Sequence, residues 1–212
     1  MRKTVPIRTQ PEIQSFLKRL REWNQNYYMG ALIGIQWGIR CSDILALTVD
    51  DVLAGTGKRV QIIDRIEIKE IKTGHERTIL ITDDMKDELY MHIKGMGKNV
   101  DRNCPLVLSR NRNEFGECKP ISRQRLWAVL KQVADELGIK GPIGMHSLRK
   151  TWAFQVWQKG VRIDVIQKEF GHASVATTHR YACIPDESRD ALYEKINFAR
   201  TSRWKSTSNR NG

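Results

Sequence analysis

Apolar residues recur every three or four positions along most of this 212-residue chain, and this spacing predicts a mainly helical fold. Residues 10–24 form the clearest amphipathic segment, and residues 26–38 predict a second, more apolar helix that is largely buried. Further helices are predicted over residues 42–47, 83–94, 122–137, 146–159, 162–170, 174–181 and 186–198.

Two isoleucine-rich stretches interrupt the helical pattern near the middle of the chain. Residues 59–70 and 76–82 alternate apolar with polar side chains, which is the period of a strand with one buried face. The sequence K-T-G-H lies between them, so we expect a β-hairpin with a glycine turn. Residues 105–109 (P-L-V-L-S) predict one more short strand. The predicted fold class is α+β and mainly helical, with a small antiparallel β-sheet inserted among the helices.

The charge balance favours a polyanionic partner. The chain has 36 Lys and Arg residues against 24 Asp and Glu residues, a net charge of +12. Such an excess attracts nucleic acid, although a basic surface that only aids solubility gives the same balance. One set of basic residues is predicted either to contact a nucleic-acid backbone or to form a solvated face: Lys58, Arg59, Arg110, Arg112, Lys119, Arg123 and Arg125.

The cysteines and the apolar segments indicate a cytoplasmic protein. The cysteines are scattered without a C-x-x-C pair, so all four are expected to be reduced thiols: Cys41, Cys104, Cys118 and Cys183. The most apolar segment, residues 27–39, contains three glycines. It is shorter than the roughly 20 apolar residues that a membrane-spanning helix needs. The first residues lack the apolar core of a signal peptide.

A scattered set of cationic side chains and one tyrosine carries the candidate chemistry. Its members are Arg40 in G-I-R-C-S-D, Lys72 in K-T-G-H, His146 and Arg149 in H-S-L-R, His172 in F-G-H, and Tyr181. Arginine donates two parallel hydrogen bonds to a phosphate, and such donors stabilise charge that develops on phosphate oxygens. A tyrosine hydroxyl becomes a nucleophile when cations and a base activate it. No paired carboxylates for metal ions and no glycine-rich phosphate loop are present, so no cofactor or metal is expected.

Several neighbouring residues compete with this interpretation. Lys69 is an alternative to Lys72, and His179 is either a backbone contact or a solvated neighbour of the tyrosine. Asp43, three residues after the first arginine, is expected to hold that guanidinium in place. Trp152 and Trp157 are expected in the core rather than as platforms for stacking bases.

In this order and spacing, the motifs resemble those of the tyrosine recombinases, the phage-integrase superfamily, over residues 9–197. The resemblance implies that residues 1–200 are the catalytic domain of a site-specific DNA recombinase or integrase, and that residues 201–212 are a polar C-terminal tail. It implies that Tyr181 attacks the scissile phosphate and forms a 3′-phosphotyrosine, without metal or ATP. The usual family member also has an N-terminal helical domain, so the chain is expected to be either a fragment or a naturally short enzyme.

The resemblance also assigns roles to the other motif residues. Arg40, Arg149 and His172 would bind the non-bridging oxygens of the phosphate. Lys72 would protonate the 5′ leaving oxygen, and His146 would take the proton of the tyrosine.

The implied partners are double-stranded DNA and three further copies of the chain. In such a homotetramer, a C-terminal segment docks on a neighbour, here residues 185–198 with Leu192, Tyr193 and Ile196 as the docking face. Accessory DNA-bending proteins are further partners that the resemblance allows. Two alternatives stay open: a type IB topoisomerase, which relaxes supercoils by the same chemistry, and a non-catalytic DNA-binding protein on the same scaffold.

Overall fold

The computed structural model describes residues 4–55, 59–97, 100–113 and 115–184. Its α-helices are α1 (Gln10–Trp23), α2 (Gln25–Trp37), α3 (Cys41–Ala46), α4 (Asp83–Met96), α5 (Arg123–Glu136), α6 (Met145–Gln158), α7 (Ile163–Phe170) and α8 (Val175–Ala182). A short 3-10 helix covers Asp50–Val52, and the strands are β1 (Leu53–Ala54), β2 (Gln61–Ile62), β3 (Arg65–Lys69) and β4 (Glu76–Leu80).

The predicted helix bounds within these residues are confirmed to within two positions, and side-chain caps explain where several of the helices begin. The Thr9 hydroxyl accepts the Glu12 N–H at 3.3 Å, while the Glu12 carboxylate accepts the Thr9 N–H at 3.1 Å, a capping box that begins α1. Ser122 caps α5 and Ser174 caps α8 more simply, since each side chain accepts one backbone N–H of the first turn. The predicted helix over residues 186–198, its docking face and the polar tail lie outside the described residues.

Helix α2 forms the centre of the main core. It is buried from Tyr28 to Ile35 and again at Trp37, and it packs against α1, α3, α5 and α6. An apolar helix with little polar surface is stable only when neighbours cover all of its faces, as they do here. A second, smaller core lies between α6, α7 and α8, where Trp152 and Trp157 are partly buried against Phe170 and its neighbours. The prediction that both tryptophans are core residues is confirmed.

The predicted strand over residues 59–70 is wrong as a single element. Its first part, β2, pairs antiparallel with β1, whereas its second part, β3, pairs with β4 in the predicted hairpin, with Arg65 opposite Leu80 and Lys69 opposite Glu76. The division falls at residues 63–64: Ile63 still donates to Val52 beside β1, the chain bends at Asp64, and the strand resumes at Arg65 beside β4. The fold class, mainly helical with a small antiparallel sheet, is confirmed.

The segment predicted as a strand at residues 105–109 makes only isolated bridges, between Thr48 and Pro105 and between Leu108 and Pro120. The chain then reverses direction, so residues 118–121 lie beside this segment. The Ser109 N–H donates to the Lys119 carbonyl at 2.8 Å.

This reversal brings two cysteines together. Cys104 and Cys118 form a disulfide with their Cα atoms 5.5 Å apart, whereas Cys41 and Cys183 are free thiols. The prediction of four reduced thiols is therefore wrong for this pair, because spacing along the sequence does not reveal which loops fold back on each other. Among the described helices, none has both the length and the apolar character needed to cross a membrane.

Candidate active site

The first predicted site residue, Arg40, stands where the central helix ends. Helix α2 stops at Gly38, which has a φ of 61°. A Cβ at this position would lie 2.6 Å from the Trp152 ring, so only glycine fits both the backbone and the space. Two residues later the backbone of Arg40 is extended and caps α3. The turn thus directs the Arg40 side chain away from the α2 axis and toward the hairpin.

Arg149 reaches the same place from α6. Its side chain is only 2% exposed, and its Nη1 donates to the Glu70 carboxylate at 2.5 Å. Its Nη2 donates to the Phe170 carbonyl at 3.4 Å, and its guanidinium lies 4.1 Å from the centroid of the Phe170 ring. These contacts hold the guanidinium at its nitrogens and over its plane.

Glu70 joins the two arginines, and sequence reasoning missed it. Its side chain is fully buried and forms ion pairs with Arg40 and Arg149. A signal was available: in a strand of period two, Ile66, Ile68 and Glu70 share one face, and both isoleucines are buried. An acidic residue at the next inward position needs a buried cationic partner.

Asp43 does not hold Arg40 in the way that the sequence predicted. Burial and the charge of Arg149 lower the pKa of the Arg40 guanidinium, and the Asp43 charge only opposes this shift. The ion pair of Arg40 is with Glu70. The Asp43 carboxylate is buried and accepts the Ile71 backbone N–H at 3.0 Å. It therefore anchors the hairpin turn instead, because the start of α3 aims its side chain at the turn backbone.

The hairpin turn presents Lys72 at the surface beside this cluster. Lys72 is exposed, and its charge contributes to lowering the pKa of His146, so the two side chains lie within electrostatic reach. The competing Lys69 points the other way, along the exposed face of the hairpin, where its Nζ lies 3.0 Å from Glu76. The register of β3 and β4 thus separates the two lysines.

His146 lies in the first turn of α6, one turn before Arg149. Desolvation lowers the pKa of its imidazole, and the positive charges of Arg123, Lys150, Lys72 and Arg149 lower it further. The ring is therefore neutral at neutral pH and free to accept a proton. Arg123, at the start of α5, had been predicted only as a backbone contact or a solvated residue.

His172 follows the left-handed C-cap of α7. Gly171 has a φ of 61°, and a Cβ there would lie 2.9 Å from the His75 ring, so the glycine lets the hairpin approach α7. The His172 Nδ1 is 2.9 Å from the Thr178 hydroxyl. Burial lowers the pKa of His172, and the charges of Arg149 and Arg40 add to this effect.

Tyr181 lies in the last turn of α8 and packs edge-on against two rings. Its ring centroid is 5.6 Å from that of Phe170 and 5.4 Å from that of His172. Burial raises the pKa of its hydroxyl, while the positive charges of Arg149 and Arg40 act in the opposite direction. The phenol is protonated at neutral pH, so any attack by this oxygen needs a base to take its proton.

The structure therefore brings all six predicted residues into one region. Arg40, Arg149, His172 and Tyr181 form its centre, with Lys72 and His146 at its edge. Of the other basic residues, Arg110, Lys119 and Arg125 line a separate cleft beside the start of α5, and Arg112 donates to the Gly116 carbonyl. Lys58 lies outside the described residues. Within the described part of the chain, no three His, Cys, Asp or Glu side chains cluster as metal ligands would.

Comparison with known proteins identifies the family. The sequence model described as the phage integrase family matches residues 8–187. The chain is 33% identical over 189 residues to the probable integrase/recombinase YoeC of Bacillus subtilis, covering 89% of this chain and 94% of YoeC. It is 28% identical over 159 residues to the tyrosine recombinase XerA of Pyrococcus furiosus, covering 69% of this chain and about half (53%) of XerA.

Solved structures share the fold. A crystal structure of XerA recombinase superposes with a TM-score of 0.62 at 20% identity, covering 91% of this chain and 65% of that one. A XerH site-specific recombinase bound to its difH substrate gives 0.63 at 19% identity, covering 92% of this chain and 55% of that one. The fold is thus that of the catalytic domains of tyrosine recombinases and integrases. The chain belongs to the phage integrase family, and it is a tyrosine-type recombinase.

Proposed function

We propose that this chain cleaves and rejoins double-stranded DNA at a specific site through a covalent 3′-phosphotyrosine on Tyr181. The observation that carries the proposal is that Tyr181 packs against His172 and Phe170, and the Arg149 guanidinium lies over that same Phe170 ring. Burial raises the pKa of the Tyr181 hydroxyl, and the charges of Arg149 and Arg40 oppose that rise. Two guanidinium groups that face one tyrosine bind a phosphodiester and stabilise the phenolate that attacks it. Relatives bound to DNA, among them XerH with difH, support DNA as the substrate.

In the proposed reaction, the Tyr181 oxygen bonds to phosphorus while the bond from phosphorus to the 5′ oxygen breaks. The neutral imidazole of His146 takes the phenol proton, and Lys72 gives a proton to the departing 5′ oxygen. Arg40 and Arg149 bind the non-bridging oxygens, whose negative charge grows in the transition state. Because the phosphodiester energy is kept in the tyrosine ester, the reverse attack by a 5′-hydroxyl needs neither ATP nor metal.

His172 is proposed as a third ligand of the non-bridging oxygens. A Thr178 hydroxyl that donates to Nδ1 leaves the ring proton on Nε2, which then serves as a hydrogen-bond donor even when the imidazole is neutral. Thr178 is fully buried, so this orientation is held from inside the protein.

The proposed assembly is a homotetramer on DNA that exchanges C-terminal segments, with accessory DNA-bending proteins as further partners. A cytoplasmic location is part of the proposal, because the proposed substrate is DNA. These proposals follow from family membership and from the net charge of +12. Residues 1–200 are proposed as the catalytic domain and residues 201–212 as its tail.

The test is a cleavage assay with nicked duplexes of randomised sequence, in EDTA, followed by recovery and sequencing of DNA that is linked to protein. We expect adducts that survive SDS, disappear with protease and are absent for Tyr181→Phe. The matched control is Tyr90→Phe, since Tyr90 is 57% exposed on α4 and should be dispensable. Adducts that persist in Tyr181→Phe would contradict the assignment of the nucleophile.

The recovered sequence then separates recombination from relaxation. A supercoiled plasmid with two copies of the site should give inverted or excised products with this chain. A plasmid that is relaxed without exchange would indicate a type IB topoisomerase, and DNA binding without any adduct would indicate a non-catalytic protein.

A further inference from the structure

Glu70 is a buried carboxylate that the proposed phosphoryl transfer does not use. Its side chain is fully buried, yet it contacts both arginines that are proposed to bind the phosphate. Its Oε2 also accepts the Thr73 hydroxyl at 2.8 Å. A fully buried carboxylate is stable only when cations and hydrogen bonds compensate its charge, and here both are present.

The backbone of Glu70 also holds the hairpin turn that carries Lys72. The Glu70 N–H donates to the His75 carbonyl at 2.9 Å, and its carbonyl accepts the Gly74 N–H at 2.8 Å and the Thr73 N–H at 3.3 Å. One residue therefore connects α3, α6 and the turn, which are the separate parts of the chain that must meet in the site.

The two arginines can still donate hydrogen bonds to a phosphate while they contact Glu70. Two guanidinium charges and one carboxylate leave the trio with one net positive charge, which matches a phosphodiester. Each guanidinium has five N–H donors. The ion pairs with Glu70 engage the Nη1 atom of each arginine, and Arg149 also donates from Nη2 to the Phe170 carbonyl, so part of each donor set remains beyond these contacts.

The carboxylate lies on the interior side of Arg40. Glu70 is 0% exposed, whereas the side chain of Arg40 is 17% exposed and that of Arg149 is 2% exposed. A carboxylate that occupied the phosphate position itself would lie on the open side, between the arginines and solvent.

We infer that Glu70 is a positioning residue that fixes the guanidinium planes of Arg40 and Arg149 for the scissile phosphate. This inference rests on the proposed function. It assigns to Glu70 the role for which the sequence had suggested Asp43. The reactive groups remain the cations and the tyrosine, and Glu70 acts through the two arginines alone.

The test compares two nicked duplexes of the recovered site, one with an ordinary scissile phosphodiester and one with an uncharged methylphosphonate at that position. Glu70→Gln keeps the shape but removes the charge, and we expect it to slow cleavage of the ordinary duplex at saturating protein by about tenfold to a hundredfold. The methylphosphonate carries no negative charge, so its cleavage depends less on aligned arginines. Most of the deficit of Glu70→Gln should therefore be absent on this duplex.

Two further variants complete the design. Glu76→Gln alters the exposed carboxylate at the other side of the same turn and should cleave both duplexes like wild type. Glu70→Asp keeps the charge but shortens its reach, so it should also show a deficit that is specific to the phosphodiester. It keeps the proposal falsifiable if Glu70→Gln does not fold.

The outcomes are distinct. Equal deficits on both duplexes would mean general damage to the fold, and faster cleavage or tighter DNA binding would mean that Glu70 blocks the phosphate site. Either result overturns the inference, as does a Glu70→Gln protein that cleaves like wild type. If the wild-type chain formed no adduct on either duplex, the proposed function itself would fail, and this inference with it.

Discussion

Arg77 binds the β3–β4 hairpin to the end of the central helix, and its replacement gives a quantitative test of the fold around Arg40. The side chain is 6% exposed in β4. It donates to the Trp37 carbonyl at 3.1 Å and the Gly38 carbonyl at 3.4 Å, and it pairs with Glu169 at 3.1 Å. These carbonyls are at the C-terminal end of α2, where the helix offers them no N–H donor.

The expected cost of Arg77→Met follows from these contacts. Methionine retains much of the apolar stem but leaves two buried carbonyls without a donor. An unsatisfied buried acceptor costs about 1–3 kcal/mol. The Gly38 bond is long, so we expect a loss of about 2–4 kcal/mol in the free energy of unfolding. The Glu169 side chain is 44% exposed, so its ion pair should contribute under about 1 kcal/mol.

Urea denaturation of wild type, Arg77→Met and Glu169→Gln measures these terms separately. The midpoint should fall strongly for Arg77→Met and hardly at all for Glu169→Gln, with the slope unchanged. Equal losses in the two variants would refute the reasoning, because they would assign the stabilisation to the ion pair rather than to the helix end.

Three further predictions concern glycine geometry, protonation and capping. In urea denaturation, Gly171→Ala should destabilise the fold by more than Gly160→Ala. Both positions have a positive φ, but only at Gly171 would the added Cβ press on the His75 ring. Equal losses of stability would contradict this prediction. Burial lowers the pKa of His92, so the unfolded chain binds its proton first as the pH falls. Stability should therefore be full above about pH 6.5 and decline below it, and a flat or rising stability on acidification would be contrary evidence. Thr9→Ala should cost about 1 kcal/mol through loss of the α1 cap, which thermal unfolding would detect.

The helices could be predicted from the sequence because their signals are local. A capping residue such as Ser122 and a repeated apolar face determine where a helix begins and which side it buries. The sheet could not be predicted to the same degree. Residues 59–70 alternate as one strand would, but the partner of β2 is β1, which precedes it in the chain, and alternation does not specify partners.

The candidate site shows the same division. The cations and Tyr181 could be predicted from the sequence motifs, because phosphate binding and nucleophilic attack each need a particular type of residue. The partner of Arg40 depends on which carboxylate the fold brings near it. Asp43 is close to Arg40 in sequence, but its carboxylate accepts the backbone N–H of Ile71 in the turn. Glu70, which directly follows β3, forms the ion pair with Arg40 instead. The Cys104–Cys118 disulfide likewise depends on a reversal of the chain, and no local sequence pattern predicts that reversal.

The most direct measurement is the identity of the residue that bears the DNA. After cleavage, the adduct is digested with nuclease and trypsin and analysed by mass spectrometry. Trypsin releases residues 181–189 as one peptide, in which Tyr181 is the only tyrosine. We expect a nucleotide joined through its 3′-phosphate to this tyrosine. A nucleotide on another residue, or a 5′-phosphate linkage, would contradict it.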